Sequence, residues 1–150
     1  MNLLSRRSLL ALAAVADIAI HARPLPVAAK ALAARLNLPP RHLETLLQAL
    51  VRANILKGVR GPRGGYELAR ERRRITAGEI LRAVMHEGGG AEPSSGPECP
   101  LVEEVVSPMV EQAADAFVKE LDGITVDEIC QRAIQGNVLG ASIVGSDFTI

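Results

Sequence analysis

Between residues 55 and 69 the chain reads Ile-Leu-Lys-Gly-Val-Arg-Gly-Pro-Arg-Gly-Gly-Tyr-Glu-Leu-Ala, and few local structures accommodate that order. Two short runs with strand-like content, 55–59 and 66–69, flank a tip that holds Gly61, Pro62, Gly64 and Gly65. This is the pattern of a β-hairpin whose loop is longer than two residues. The tip also carries Arg60 and Arg63, with Lys57 and Arg70 adding positive charge on the flanks. A basic hairpin projecting from a small domain suits a phosphate backbone or a minor groove, where arginine reads width and negative potential. Taken alone, the same stretch reads equally well as an ordinary hairpin with a solvated tip.

What precedes the hairpin decides between these readings. Residues 27–36 are Ala-rich, with Ala28, Leu32 and Leu36 on one helical face and Lys30 and Arg35 outside it. Asn37-Leu38-Pro39 is a tight turn, and Pro40 opens a further helix, since proline is tolerated in a first helical turn. That helix runs to about residue 54 and carries a continuous stripe of Leu43, Leu46, Leu47, Leu50 and Val51. Its other face holds Arg41, Glu44, Thr45, Gln48 and Arg52, with His42 near the start. Two helices joined by a short turn, the second polar on its outer face, form a helix-turn-helix. Followed at once by a basic, Gly-tipped hairpin, it reads as a winged helix-turn-helix that binds DNA.

Charge distribution agrees with a polyanionic partner. The net charge is zero, yet residues 1–86 hold 15 Lys and Arg against 5 Asp and Glu, whereas residues 87–150 hold 2 against 12. One part is built to meet a polyanion, and the acidic part reads as solvated surface. Hydrophobic residues make up 48% of the 150 residues but aromatics only 2%, so the core must be aliphatic and helical, and base-stacking platforms are excluded. Two cysteines, Cys99 and Cys130, are too few for a disulfide framework or a closed zinc site. An enzyme is not indicated: residues 61–65 lack the Gly-Lys-Ser/Thr of a phosphate-binding loop, and no nucleophile has an evident His and carboxylate grouping.

At the start, Ser5-Arg6-Arg7-Ser8-Leu9-Leu10 and the apolar run to Ala16 resemble a twin-arginine export signal. Asp17 interrupts that run, and the chain passes without a spacer into the next helical pattern, so residues 7–21 are read as a buried first helix of a cytoplasmic protein. Beyond the hairpin, Thr76 and Glu79 make a capping box with Ile75 and Ile80 as hydrophobic staple, and the device recurs at 124–129. Residues 87–100 are Gly-, Pro- and Ser-rich and read as a linker or effector loop. From 101 to 121 a helical pattern returns, with Val102, Val106, Met109, Ala113, Phe117 and Leu121 spaced by three or four; Ser107-Pro108 either kinks it or caps a fresh start. Self-association is the natural way to bury such a stripe in a small protein, the alternative being that it packs back on its own winged domain. The expected organisation is therefore a mainly α fold with a small β-hairpin: a winged helix-turn-helix over 1–86, a linker over 87–100, a dimerisation helix and short helix over 101–135, and a tail over 136–150 that Phe148 anchors.

The chain resembles the bacterial winged-helix regulators that include the iron–sulfur cluster regulator IscR, the nitric-oxide sensor NsrR and the cysteine regulator CymR. The resemblance covers about residues 3–132 and is specific at Leu43-Glu44, at Val59-Arg60-Gly61-Pro62-Arg63-Gly64-Gly65-Tyr66, at Leu68-Ala69-Arg70 and at both Ile-Thr helix starts. It implies a third helix in the major groove, a wing at the minor groove and a long helix building a homodimer on a double-stranded operator. Carried over by position, Arg41, Glu44 and Thr45 face base edges or phosphates, and Arg60 enters the groove. The candidate DNA-contacting set is thus Arg41, His42, Glu44, Thr45 and Gln48 on the helix with Lys57, Arg60 and Arg63 on the hairpin. The implied function is that of a transcriptional regulator; the effector, the operator and whether the bound protein represses or activates are not legible.

Two departures from the family pattern stand out. Cluster-binding members carry three cysteines in and around the linker, whereas only Cys99 stands there in this chain and is followed by Pro100-Leu101-Val102-Glu103. Ligation of an iron–sulfur cluster takes about four donors, so no cofactor is expected, and Cys99 is left as a candidate redox thiol. Its neighbours Glu98, Glu103 and Glu104 disfavour the thiolate, which predicts a slow response to peroxide. At the start of the third helix, Pro40 and Arg41 replace the small polar residues common in the family. The competing reading is a winged-helix module whose basic face meets an acidic protein.

Overall fold

The computed structural model describes residues 4–88 and 99–137. Most of the expected linker at 87–100, with Glu98, and nearly all of the expected tail at 136–150, with Phe148, lie outside the described residues. The described chain forms helices α1 (Arg6–His21), α2 (Ala29–Leu36) and α3 (Pro40–Arg52), strands β1 (Leu56–Val59) and β2 (Gly65–Leu68), and helices α4 (Ala77–Gly88), α5 (Ser107–Leu121) and α6 (Val126–Gln135). Mainly α with one antiparallel hairpin, it is a winged helix-turn-helix extended by a long helix. No helix among the described residues is long and apolar enough to cross a membrane.

Helix α1 is the centre of the core. Ser5 caps it by accepting from the Ser8 amide at 3.2 Å, and Ala11, Ala14, Val15 and Ile18 are fully buried at helical spacing. Against it pack α2, α4, α6 and β2, and α3 closes the core with Leu43, Leu46, Leu47 and Leu50. Asp17, the interruption in the apolar run, is itself buried: Arg35 of α2 reaches it through Nε and Nη2. Arg35 is exposed, as its helical position predicts, but its guanidinium turns back onto Asp17; its pKa is raised, chiefly by that hydrogen bonding.

Local chemistry sets the turns. Asn37 ends α2 in the left-handed conformation (φ 53°), and Pro40 begins α3 where no amide is needed. Asn54, again left-handed (φ 58°), turns α3 into β1. The hairpin pairs Leu56 with Leu68 through Val59 with Gly65, and Gly61 takes φ 118° at its tip. A single residue outside the hairpin, Val27, forms a bridge to Tyr66, with N–H···O bonds of 2.9 and 2.8 Å in the two directions. This adds a one-residue third strand beside β2, at Tyr66 near the tip end of the ladder. Gly65 permits it, because a Cβ there would run into Val27 O and close on Ala28 N at 2.8 Å.

Beyond the hairpin the two helix starts lock together. The Thr76–Glu79 box is complete: the Glu79 amide donates to Thr76 Oγ1 at 3.2 Å and the Thr76 amide donates to Glu79 Oε2 at 2.9 Å. The second box is half-made. Thr125 Oγ1 accepts from the Glu128 amide, but the Glu128 carboxylate takes Arg132 one turn on, at 2.6 Å. Thr76 and Thr125 form an antiparallel bridge, with the Ala77 amide on Ile124 O and the Val126 amide on Ile75 O, both 2.8 Å. Arg82 of α4 holds Asp122, at the end of α5, through two bonds of 2.7 Å, which keep the Asp122 carboxyl below its usual range. Arg72 meets Asp127 of α6 at 2.7 Å. The acidic half is thus not solvated surface throughout, for two of its carboxylates tie it to the basic half.

The expected unit at 101–135 is divided by packing. Helix α6 contributes Val126 and Cys130 to the main core, and the C-terminal half of α5 buries Val118 near Arg82 and Met85 of α4. Residues 101–110, which lead into α5 and form its first turn, do not pack back. Leu101, Val102, Val105, Val106, Met109 and Val110 are all exposed, Met109 at 65%. Nor does Ser107 cap a fresh helix. The backbone is helical through Leu101, Val106 and Ser107, and a π-helical turn over Val102–Val106 widens the helix just before Pro108, which lacks an amide and would crowd an α-helical turn.

Candidate nucleic-acid interface

The outer face of α3 is polar because its apolar residues are spent inward. At about 100° per residue, Arg41, Glu44, Thr45 and Gln48 lie opposite the buried Leu43, Leu46, Leu47 and Leu50, and all four are exposed. The Thr45 hydroxyl donates to Arg41 O one turn back at 3.3 Å, which leaves its methyl group and the oxygen's acceptor capacity outward. His42, although exposed, stands to one side of this row. It lines a cleft of about 390 Å³ with Arg6, Arg7 and Leu10 of α1, Leu38, and Leu46 of α3.

On the hairpin, Arg60 and Arg63 are exposed at either side of Gly61-Pro62. Lys57 differs from them: its ammonium pairs across the strands with Glu67 at 3.0 Å, so part of its charge is compensated within the wing. Arg70, which reads in the sequence as flanking positive charge, is a strut. Its guanidinium donates to Asn54 O, Arg74 O and Glu79, joining the end of α3, the wing and the start of α4. The geometry thus brings Arg41, Glu44, Thr45 and Gln48 together on one helical face and sets Arg60 and Arg63 on the adjoining hairpin, with Lys57 and His42 at the margins. The Val27 bridge that steadies the wing has no signal in the sequence, because one residue of strand has no period.

The thiols are separated. Cys99 is exposed at the start of the long helix, and Cys130 is buried under α1 with Sγ 3.7 Å from Ala16 O. Burial pushes the Cys130 thiol up. Among the described residues no group of three or more His, Cys, Asp or Glu side chains is placed to hold a metal ion.

Comparison with known proteins fits this architecture. Residues 4–132 match the family model Rrf2, described as an iron-dependent transcriptional regulator. The chain is 37% identical over 127 residues to slr0846 of Synechocystis sp., named as an HTH-type transcriptional regulator, covering 84% of this chain and 86% of that one. It is 28% identical over 119 residues to protein rrf2 of Nitratidesulfovibrio vulgaris, covering 78% and 79%. Among solved structures, IscR of T. potens superposes with a TM-score of 0.65 at 32% identity over 87% of each chain. CymR, the global cysteine regulator of B. subtilis, superposes with a TM-score of 0.65 at 28% identity over 88% of this chain and 98% of that one. A helix-turn-helix with a basic wing, matched in sequence and in fold over most of its length, makes this chain a DNA-binding member of the Rrf2 family of transcriptional regulators.

Proposed function

We propose that the protein binds an operator as a homodimer, each subunit laying α3 in the major groove and the Arg60–Arg63 wing tip against the neighbouring minor groove. The observation that carries this is the pairing of an exposed polar face, Arg41, Glu44, Thr45 and Gln48, with two exposed arginines on the adjoining hairpin. Arg41 and Gln48 donate to base edges or phosphate, and a carboxylate at Glu44 accepts from cytosine N4 while phosphate repels it. The wing supplies affinity through charge.

The dimer is proposed from the first half of the long helix. Leu101, Val102, Val105, Val106, Met109 and Val110 form an exposed apolar strip along it, larger than single scattered surface residues and suited to a two-fold interface. A dimer presents two α3 helices to a palindromic site. The action is in the cytoplasm, with repression by operator occupancy.

The family description refers to iron, but the donors of this chain do not fit an iron–sulfur cluster. Cys130 is buried in the core and Cys99 is the one cysteine left per subunit, against the four or so thiolate or imidazole ligands a cluster takes. The protein is therefore proposed to act without a cluster. Selection of bound fragments from genomic DNA, followed by titration of a selected duplex at several salt concentrations, tests the proposal. A preferred palindromic motif with a steep negative salt slope is expected; binding of an acidic protein without any duplex preference would overturn it.

A further inference from the structure

The cleft beside the recognition helix holds a feature that DNA binding alone does not use. Its walls are apolar, formed by Leu10 of α1, Leu38 of the turn and Leu46 of α3, and its cationic side is Arg6, Arg7 and His42. Arg7 is half-buried, and its Nε and Nη2 are shut away from solvent without a hydrogen-bond partner. Donors in that condition are costly unless an acceptor meets them. The same edge of Arg35, Nε and Nη2, takes both oxygens of the Asp17 carboxylate at 2.7 to 3.1 Å. In one molecule, then, one arginine shows what this donor edge binds, and another that lines an apolar cleft keeps the same edge without a partner.

We propose that the cleft is an effector site for a small organic carboxylate: the carboxylate is held by Arg7, with Arg6 and His42 adding positive charge, and an aliphatic body lies on Leu10, Leu38 and Leu46. Arg7 itself lines the cleft, so a carboxylate there is held once the side chain turns its donor edge outward. A volume of about 390 Å³ lies within the range of small-molecule sites. No acidic side chain lines it, so nothing in the wall competes for the arginines. A DNA phosphate would satisfy the charge but would gain nothing from three leucines, which is why a carboxylate with an apolar body is favoured. Because His42 and Leu46 belong to α3, an occupant bears on the position of the recognition helix, and the site therefore regulates the DNA binding proposed above, on which its regulatory meaning rests.

Calorimetric titration of the full-length protein without DNA, using octanoate as probe with 1-octanol and inorganic phosphate as controls, tests the site independently of DNA binding. Octanoate is expected to bind at least about tenfold more tightly than either control, since one lacks the charge and the other the apolar body. Arg7→Gln should lose about tenfold or more in octanoate affinity, and Arg7→Lys should recover only part, because an ammonium cannot offer the planar fork. Leu38→Asn, at a half-exposed position, should weaken octanoate and leave phosphate unchanged. Phosphate binding as tight as octanoate would make the site a backbone-phosphate contact and overturn the proposal, as would octanoate affinity indifferent to Arg7→Gln. A second titration, octanoate into the protein–duplex complex, is expected to shift duplex affinity by severalfold in wild type and not in Arg7→Gln; an unchanged duplex affinity at saturating octanoate overturns the regulatory half while the DNA-binding reading stands.

Discussion

Arg35 grips Asp17 with three hydrogen bonds, Nε to Oδ1 at 3.1 Å, Nε to Oδ2 at 2.9 Å and Nη2 to Oδ1 at 2.7 Å. The carboxylate is 2% exposed and sits on the core helix, whereas the arginine keeps 30% of its side chain in water. His21, one turn along α1, has Nδ1 2.9 Å from the Asp17 carbonyl oxygen, which accepts from it, and 3.3 Å from the carboxylate. The pair fixes α2 on α1 and with it the first half of the helix-turn-helix. Removing one partner of a buried pair leaves an uncompensated group, so Asp17→Ala should cost about 2 kcal/mol in urea unfolding, less than a fully buried pair would because Arg35 can rehydrate. A double-mutant cycle with Arg35→Ala should show coupling; additive losses would mean the two act separately.

The wing and α3 should separate under mutation. Arg60→Ala and Arg63→Ala should each weaken duplex binding on every sequence and lower the salt slope by about one unit for each phosphate left without its arginine. Glu44→Ala should instead change which sequences a selection recovers. A uniform loss across all sequences for Glu44→Ala would count against base reading by that residue.

Charge on the exposed strip of the long helix should produce monomers. Met109→Glu is the cleanest test, since Met109 is 65% exposed, whereas Phe117 is half-buried and Val118 packs inward. Sedimentation of wild type should give a dimer at micromolar concentration and the variant a monomer of unchanged helical content. A monomeric wild type would remove the proposed interface.

Gly65 should not tolerate even alanine. A Cβ there meets the Val27 backbone, so Gly65→Ala must push the wing off its third strand, at about 2 kcal/mol. Hydrogen exchange should show the Tyr66 amide, which donates to Val27 O, losing protection ahead of the core. Protection equal to wild type would show that the bridge adjusts.

The two cysteines should differ by chemistry. Ellman's reagent should titrate Cys99 in the native protein and Cys130 only after unfolding, because one is exposed and the other fully buried. Burial raises the Cys130 thiol pKa, so at alkaline pH the native state keeps a proton that the unfolded state has released. Stability should therefore fall as pH rises above about 8.5, and Cys130→Ala should lose that part of the fall. Two thiols reacting equally fast in the native protein would contradict the packing of α6.

Much of this protein is legible in its sequence because its signals are local. The apolar stripe of α3, the glycines of the wing tip and the Thr76–Glu79 box each act within one turn or one loop, and the structure places each where the spacing requires. The family follows from those same short motifs. Long-range choices are not legible. Periodicity puts Arg35 outside, where it lies, but makes Asp17 a flaw in an apolar run, since neither residue carries any sign of a partner 18 positions away. Arg70 and Lys57 read as free charge until folding brings Asn54, Glu79 and Glu67 to them. The long helix shows one amphipathic stripe in the sequence, but only tertiary packing divides it, turning Val118 inward on α4 and leaving residues 101–110 for another surface. A side chain's period is set by its own helix, whereas its partner is set by which elements the whole core brings together.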